Sequence, residues 1–202
     1  MSDTPLTHSD NQEPTAFTQA QLEWLPWLPP LPEDELTDRH CAGLVVAARA
    51  KSPYFRMLAR DPDTLGARTR SDKDNFYNPD AGLPRAEREL SATATLRFNG
   101  CIYCASVHAR FASHFSHREG DVQRLLDEGV SADLGPRWNA IVAASAALSA
   151  TPSDFGPEHI DGLRAVGLDD YAIADALQGA AFFNWANRLM LSLGEPQLQV
   201  GG

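Results

Sequence analysis

A break at Asn99–Gly100 between two helical segments is the feature of this chain that most constrains its fold. Pro84 and the acidic side chains that follow it predict a helix start, since proline fits the first helical position and acidic groups favour the first turn. That helix is expected to end at Asn99–Gly100, because Asn and Gly accept the left-handed backbone that closes many helices. A second helix is predicted to follow as far as His117. The chain can therefore change direction between the two.

Two thiols and an imidazole lie on one face of the second predicted helix. Cys101, Cys104 and His108 occupy positions i, i+3 and i+7, which a helix of about 3.6 residues per turn stacks together. Thiolate is the reactive form of cysteine, and an ordinary pKa of about 8.5 means that a local base or positive potential must favour it. His108 lies one turn beyond Cys104 and is a candidate general base, acting directly or through one water. This pattern indicates a redox site.

Glu89 adds a carboxylate that can orient the imidazole and balance its charge. It lies twelve residues before Cys101, and along one straight helix that separation is about 18 Å. A straight helix therefore cannot assemble the site. If the chain turns back at Asn99–Gly100, Glu89 comes beside His108. The sequence permits this arrangement without requiring it.

A zinc site is the main alternative for the same residues. Thiolate and imidazole groups suit Zn²⁺, but a closed site needs a fourth ligand, for which Glu89, His114 and His117 are the candidates. The wide spacing of Glu89 and the helical setting favour redox chemistry over zinc. His114 and His117 are expected to be surface residues of a helix.

The order Glu89, Cys101, Cys104 and His108, with eleven, two and three intervening residues and Asn-Gly before the first cysteine, is restrictive. It resembles the motif of the AhpD-like alkylhydroperoxidases in the carboxymuconolactone decarboxylase superfamily. A second stretch, residues 181–189, resembles the closing helix of the peroxidase-related branch of that superfamily. The similarity extends over most of residues 31–196.

The resemblance implies an all-α, AhpD-like helical domain with a helix-turn-helix redox motif. It also implies a thiol peroxidase that reduces hydrogen peroxide or organic hydroperoxides without haem, flavin or metal. Cys104 would attack the peroxide, Cys101 would close a disulfide with it, and Glu89 and His108 would relay protons. Cys101, at the helix start, is expected to be the more accessible sulfur. An external dithiol, such as a lipoyl-bearing protein, would reopen the disulfide.

Tyr103 departs from the family pattern, in which a histidine immediately precedes the second cysteine. With an ordinary pKa near 10, tyrosine donates a hydrogen bond but accepts a proton poorly at neutral pH. Any proton relay here is therefore expected to use His108 and Glu89 alone.

Composition changes along the chain predict three parts: an N-terminal arm over residues 1–32, partly disordered and rich in Pro and Trp, an all-helical domain over 33–196, and a C-terminal tail over 197–202. No segment shows the period-two alternation of a hairpin strand. Helices are expected over 33–52, 53–58, 84–99, 101–117, 121–128, 136–150, 158–165 and 169–192. Residues 61–84 carry several Pro and Gly breaks and are predicted to form only loose helical turns.

Charge and cysteine content limit the partners and the compartment. The net charge of -10 and the lack of a basic cluster argue against nucleic acid and anionic membranes. The odd count of cysteines favours a reducing compartment, and with no signal region or apolar span in the sequence we expect a cytoplasmic protein. Cys41 is predicted to be a buried structural residue. The apolar proline segment and the aromatic last helix favour a homo-oligomer.

Two further functions stay open beside peroxide reduction. One is a dithiol-disulfide oxidoreductase that acts on a protein partner. The other is a non-enzymatic redox-sensing or assembly protein, whose disulfide changes its oligomeric contacts.

Overall fold

A computed structural model describes residues 4–80 and 82–199 of the chain. A short strand β1 (Leu22–Pro26) and a 3-10 turn (Glu33–Glu35) precede the helices, and a second 3-10 turn (Ala47–Lys51) follows the first helix. The helices are α1 (Asp38–Leu44), α2 (Pro53–Leu58), α3 (Pro62–Tyr77), α4 (Arg85–Asn99), α5 (Ile102–Ser116), α6 (Glu119–Glu128), α7 (Pro136–Ser149), α8 (Pro157–Ala165) and α9 (Asp170–Leu193), and strand β2 (Gly194–Leu198) ends the order. The predicted all-α class is confirmed.

Helix α4 is the centre of the core. It packs against α5, α7 and α9, and Leu90 and Leu96 are completely buried. The small residues between them let neighbouring helices approach closely, and Ser91 Oγ donates a hydrogen bond of 2.8 Å to the Ala176 carbonyl of α9. Because α4 is covered on several sides, polar groups on it lie away from water.

The turn between α4 and α5 reverses the chain. Gly100 adopts a left-handed backbone with φ of 83°, a conformation that costs glycine little and other residues more. The Cys101 amide then donates to the Leu96 carbonyl at 3.0 Å, which closes α4 in the manner of a helix C-terminal motif. Helix α5 runs back along α4, as the family resemblance implied.

Helix α3 corrects the prediction of loose turns over residues 61–84. The Asp61 carboxylate caps this helix by accepting a hydrogen bond of 3.2 Å from the Thr64 amide, and Pro62 occupies the first turn. The Asp-Pro pair was interpreted as a break, whereas it begins a helix of 16 residues.

Two expectations for the segment before α3 were also wrong. The helix predicted over residues 33–52 is divided into α1 and two 3-10 turns, because Leu36 is extended before α1 and Val45 leaves the helical region after it, with φ of 61°. Cys41 is exposed, since α1 buries only Gly43 and Leu44.

The two ends of the described chain form a small antiparallel sheet that the sequence did not predict. Leu22 pairs with Leu198, and Pro26 pairs with Gly194. Trp24 of β1 is 7% exposed and packs edge to face on Tyr54 with ring centroids 5.3 Å apart. β2 crosses the boundary predicted between the helical domain and the tail.

The described part of the N-terminal arm lies on this sheet and on α5. The Leu198 amide donates to the Gln12 carbonyl at 2.9 Å, and Arg110 donates to the Ala20 carbonyl at 2.7 Å. Residues 1–3 of the predicted arm and 200–202 of the predicted tail lie outside the described residues. Within residues 4–80 and 82–199, no helix is long and apolar enough to cross a membrane.

Candidate active site

The four residues singled out in the sequence come together where α5 folds back on α4. The Cys101 and Cys104 sulfurs are 2.8 Å apart. One turn further along α5, His108 Nδ1 lies 2.6 Å from Glu89 Oε2. The reversal at Gly100 thus removes the separation of about 18 Å that a straight helix would impose.

The Glu89 carboxylate is fully buried and has a partner on each oxygen. Arg85, one turn earlier on α4, donates from Nε to Oε1 at 2.7 Å, and His108 contacts Oε2. A buried carboxylate without such partners would be costly. When His108 Nδ1 carries the hydrogen of this contact, its Nε2 is left with the lone pair that a base requires.

Aromatic rings fix the imidazole on its other sides. The ring centroid of His108 is 4.1 Å from that of Phe183 in α9 and 5.6 Å from that of Phe76 in α3. The Glu89 contact and these rings together restrict the orientation of His108, although the two aromatic residues come from distant parts of the chain.

The two thiols differ in their electrostatic surroundings. In the neutral pair the Cys101 thiol donates to Cys104 Sγ. The pKa of Cys101 is lowered, because the Cys104 thiol can donate a hydrogen bond to Cys101 once Cys101 is ionised, and this outweighs the opposing effect of burial. The pKa of Cys104 is raised well above its ordinary value by burial, and further by the hydrogen bond and the negative charge of Cys101. The first negative charge of the pair is therefore favoured on Cys101.

A cavity of about 180 Å³ opens beside these residues. Cys104 and His108 line it together with Arg68, Asp72 and Met190. Cys104 Sγ also contacts Met190 Sδ at 3.1 Å. Of the two thiols, Cys104 is the one that meets the cavity.

Both sulfurs are withdrawn from the surface, which corrects the expectation that Cys101 is the accessible one. Cys101 is 3% exposed and Cys104 is 4% exposed. The negative charge of the thiolate is favoured on Cys101, whereas Cys104 is the cysteine that lines the cavity. Because the sulfurs are 2.8 Å apart, a proton shared between them can move the thiolate from one to the other.

Tyr103 also lines the cavity. Burial, with the negative charge of the thiols as a smaller cause, raises its pKa to about 12. Tyr103 is therefore protonated at neutral pH and is a donor, not a base, in agreement with the prediction from its chemistry.

Three contributors to the site were missed in the sequence. Arg85 had a usable signal, because it precedes Glu89 by one helical turn, the spacing of a helical ion pair. Arg68 lies on α3, which was predicted as loose turns, so its approach to the motif was not foreseeable from spacing. Met190 comes from α9, and no local pattern associates it with Cys104.

A metal site would require several His, Cys, Asp or Glu side chains that converge on one point. Across the described ranges 4–80 and 82–199, no group of three or more His, Cys, Asp or Glu residues is arranged to hold a metal ion. His114 and His117 are exposed on α5 and at its end, as expected.

The fold and the clustered dithiol define a class of all-α proteins with a helix-turn-helix cysteine motif. Residues 62–147 match the family model described as "Carboxymuconolactone decarboxylase family". The family match, which covers less than half of the chain, and the all-α fold both support the resemblance to the AhpD-like proteins of the carboxymuconolactone decarboxylase superfamily that was found in the sequence. A search of curated proteins found no significant match.

Solved structures share the fold at low sequence identity. A peroxidase-related protein with an alkylhydroperoxidase AhpD core from Ralstonia eutropha JMP134 is 22% identical, with a TM-score of 0.69 over 82% of this chain and 88% of its own. A peroxidase-related protein from Silicibacter sp. TM1040 is 21% identical, with a TM-score of 0.65 over 92% of this chain and 93% of its own. The debrominase Bmp8 is 18% identical, with a TM-score of 0.67 over 86% of this chain and 92% of its own.

Proposed function

We propose that this protein is a thiol-dependent peroxidase that reduces hydrogen peroxide or organic hydroperoxides through Cys104 and Cys101. One observation carries the proposal: of two sulfurs 2.8 Å apart, that of Cys104 adjoins a cavity that is also lined by His108, whose imidazole is held by the buried Glu89. The cavity gives a peroxide access to one thiol, and the imidazole supplies a base.

The first step is attack by Cys104 on the terminal peroxide oxygen. His108 takes the thiol proton, a sulfur-oxygen bond forms, and the oxygen-oxygen bond breaks. The leaving alkoxide or hydroxide takes a proton back from His108, which gives an alcohol or water and a Cys104 sulfenic acid. Glu89 stabilises the imidazolium during this exchange.

The second step joins the two sulfurs. The Cys101 thiolate attacks the Cys104 sulfenic acid, hydroxide leaves and is protonated to water, and a disulfide forms. The peroxide has then accepted two electrons, which the two thiols have supplied.

An external dithiol returns the enzyme to its reduced form by thiol-disulfide exchange. Because Cys101 is buried and Cys104 adjoins the cavity, we propose Cys104 as the sulfur that this dithiol attacks. We propose a lipoyl group on a carrier protein as this dithiol. We propose the cytoplasm as the setting, because this recycling requires a reducing compartment.

Burial of the pair favours a small substrate over a protein disulfide. With both cysteine residues at most 4% exposed, a disulfide on the surface of a folded partner cannot reach their sulfurs without local opening of this protein. A peroxide of a few atoms can enter the cavity directly.

Intact-mass measurement on the reduced protein after one equivalent of tert-butyl hydroperoxide tests the proposal. A Cys41→Ala background removes the exposed thiol, and the protein in this background should lose two hydrogen atoms in mass. With Cys101→Ser added, the protein should gain one oxygen atom as a trapped sulfenic acid. With Cys104→Ser added instead, its mass should not change.

The other two functions give different outcomes. Equal oxidation of both cysteine variants would refute the assigned roles. Slow peroxide consumption with dihydrolipoamide as reductant, alongside rapid reduction of a protein disulfide, would establish the oxidoreductase alternative. Negligible rates for both substrates, with an oligomer size that follows oxidation, would establish the redox-sensing alternative.

A further inference from the structure

Arg68 brings to the cavity a positive charge that the peroxidase steps above do not use. Its side chain is 8% exposed and lines the cavity together with Cys104 and His108. It donates to Asp72 Oδ2 at 3.1 Å, but its Nε is buried and has no hydrogen-bond partner among the described residues. Because an unpaired buried donor costs free energy, an acceptor from a ligand would relieve it.

The charges around Arg68 do not cancel. Asp72 accepts from both Arg68 and Arg49, each at 3.1 Å, so two guanidinium groups share one carboxylate. The surplus is one positive charge. Arg49 has a further acceptor in Thr69 Oγ1 at 2.7 Å and does not line the cavity. Arg68 is therefore the residue that brings the surplus charge to the cavity.

The rest of the cavity wall is mainly apolar and aromatic. Six aromatic side chains contribute to it: Tyr54, Phe55, Tyr77, Tyr103, Phe111 and Phe183. Its volume is about 180 Å³, and an apolar cavity of about 150 Å³ is enough to hold benzene. The space therefore suits one ring or a short branched chain, with a single anionic group directed at the guanidinium.

We propose that Arg68 binds the carboxylate of a small organic hydroperoxide, and thereby selects acidic peroxides over neutral ones. This inference rests on the proposed peroxidase function and names its substrate class. Asp72 lines the same cavity, but its carboxylate is shared by two guanidinium groups, so Arg68 keeps positive charge that can attract an incoming anion.

Binding of benzoate, compared with neutral benzamide of nearly the same shape, tests Arg68 without any turnover. Titration calorimetry on the reduced protein should show tighter binding of benzoate. Arg68→Met should weaken benzoate roughly tenfold to a hundredfold, the loss expected for a buried charge-assisted hydrogen bond, and should change benzamide much less. Arg68→Lys keeps the charge and loses the Nε donor, so it should weaken benzoate by a smaller factor and also serves if the methionine variant does not fold.

Arg49→Met is the matched control. It removes the other arginine that contacts Asp72, with the same change in total charge, but it does not alter a cavity-lining side chain. Because this variant removes the surplus charge but keeps the guanidinium that lines the cavity, the ratio of benzoate to benzamide affinity should fall by much less than in Arg68→Met. An equal loss in Arg49→Met and Arg68→Met would mean a general effect of charge and would overturn the proposal.

A second assay compares cumene hydroperoxide with its para-carboxylate in the unmodified protein and in Arg68→Met. Preference for the carboxylate, as the ratio of kcat/KM values, should fall about tenfold in the variant. If benzoate binding depends on Arg68 but neither peroxide is consumed, the anion site stands and the peroxidase function fails. If both peroxides are consumed and benzoate binds no better than benzamide, the peroxidase function stands and the anion site fails.

Arg68 also lies near enough to influence the thiols, because its positive charge lowers the pKa of Cys104 against the larger effect of burial. The pH dependence of thiol alkylation separates the two roles. A change in that profile in Arg68→Met, with the benzoate to benzamide ratio unaltered, would assign Arg68 to the cysteine pair alone and overturn the proposal.

Discussion

The Glu89 carboxyl group has no exposed surface, and its burial is compensated by contacts with two neighbouring side chains. Arg85 and His108 each contact one carboxylate oxygen. Removing one member of such a group leaves the others without compensation in a region of low dielectric. The same contacts that orient the imidazole for chemistry therefore also hold α4 and α5 together.

We predict that Glu89→Ala lowers the free energy of unfolding by about 3–5 kcal/mol, the usual effect of breaking a buried ion pair. Denaturant titration measures this change. Asp63→Ala is the control, since Asp63 and Arg39 form an ion pair that is largely exposed and should contribute little. Equal effects of the two substitutions would contradict a buried, charged Glu89.

The cysteine pair gives a second prediction for single residues, concerning pH. In the Cys41→Ala background, alkylation by iodoacetamide should begin at a lower pH than for an ordinary thiol, because the pKa of Cys101 is lowered. Adding Cys104→Ala removes the hydrogen-bond donor while burial still opposes the charge. The pKa of Cys101 should then rise, and the alkylation profile should move to higher pH.

The rate of alkylation should increase with pH in both proteins. The midpoint for the double variant should lie at a higher pH than that for Cys41→Ala alone. His108→Ala, measured in the same background, should also move the profile to higher pH if His108 is the base for the pair. A Cys104→Ala profile that moves to lower pH would contradict the direction of the hydrogen bond between the sulfurs.

The residues of the site were predictable from the sequence only where local spacing carried the signal. Cys101, Cys104 and His108 lie within eight positions of one another, and a helix places them on one face regardless of tertiary structure. Glu89 was proposed as the group that orients His108, but its place beside His108 was implied by the family resemblance, since their contact depends on a chain reversal. Arg68 and Met190 approach the thiols through tertiary packing alone, which leaves no mark on sequence spacing.

At the scale of elements, the α4–α5 turn decides whether the site exists. Gly100 is exposed, and a Cβ built on it would meet no atom within 4 Å, so its requirement is conformational and not steric. We predict that Gly100→Ala lowers the free energy of unfolding by about 1 kcal/mol, the cost of a left-handed backbone for a residue with a Cβ.

Gly162→Ala is the matched control for this turn. Gly162 lies inside α8, has no positive φ and would also meet no atom within 4 Å. The substitution should raise the free energy of unfolding by about 0.5–1 kcal/mol, because alanine is the better helix former. Changes of the same sign at both positions, measured by thermal unfolding, would contradict this account of the turn.

The elements that were predicted well and badly differ in the strength of their local signals. Helix α9 has a long apolar stretch, helix α4 is bounded by Pro84 and by Asn99–Gly100, and the ends of both were found within a few residues. Helix α3 is rich in polar residues and owes its position to packing against α1, α4 and α9. Its start was still encoded by Asp61–Pro62, which forms a cap and a first turn, but the same dipeptide also occurs in loops, so local sequence alone did not decide between them.

At the scale of the whole molecule, the small sheet connects the ends of the chain to the cavity. Trp24 packs on Tyr54, and Tyr54 lines the cavity. On the other side of Trp24, a side chain added at Gly194 would collide with the indole ring. The sheet was not foreseeable, because its strands are short and their partners lie more than 160 residues apart.

We predict that Trp24→Ala lowers the free energy of unfolding by about 3–5 kcal/mol, as expected when a large buried aromatic side chain is removed. It should also weaken benzoate binding, because the Tyr54 wall loses its support. Trp185→Ala is the control, since Trp185 is 42% exposed and does not line the cavity. A stability loss as large in Trp185→Ala would contradict the supporting role of β1.

The pairing of Leu22–Pro26 with Gly194–Leu198 also has a consequence for biosynthesis. A ribosome makes the first strand early, but the second emerges only after all nine helices within the described ranges have been translated. Until then the indole of Trp24 can pack on Tyr54 but lacks the cover that β2 provides, and the wall that it supports is incomplete. Because α9 and β2 are also the last described elements to be made, the cavity wall beside Cys104 is completed late, and we expect the two thiols of an unfinished chain to be less shielded from oxidants than those of the folded protein.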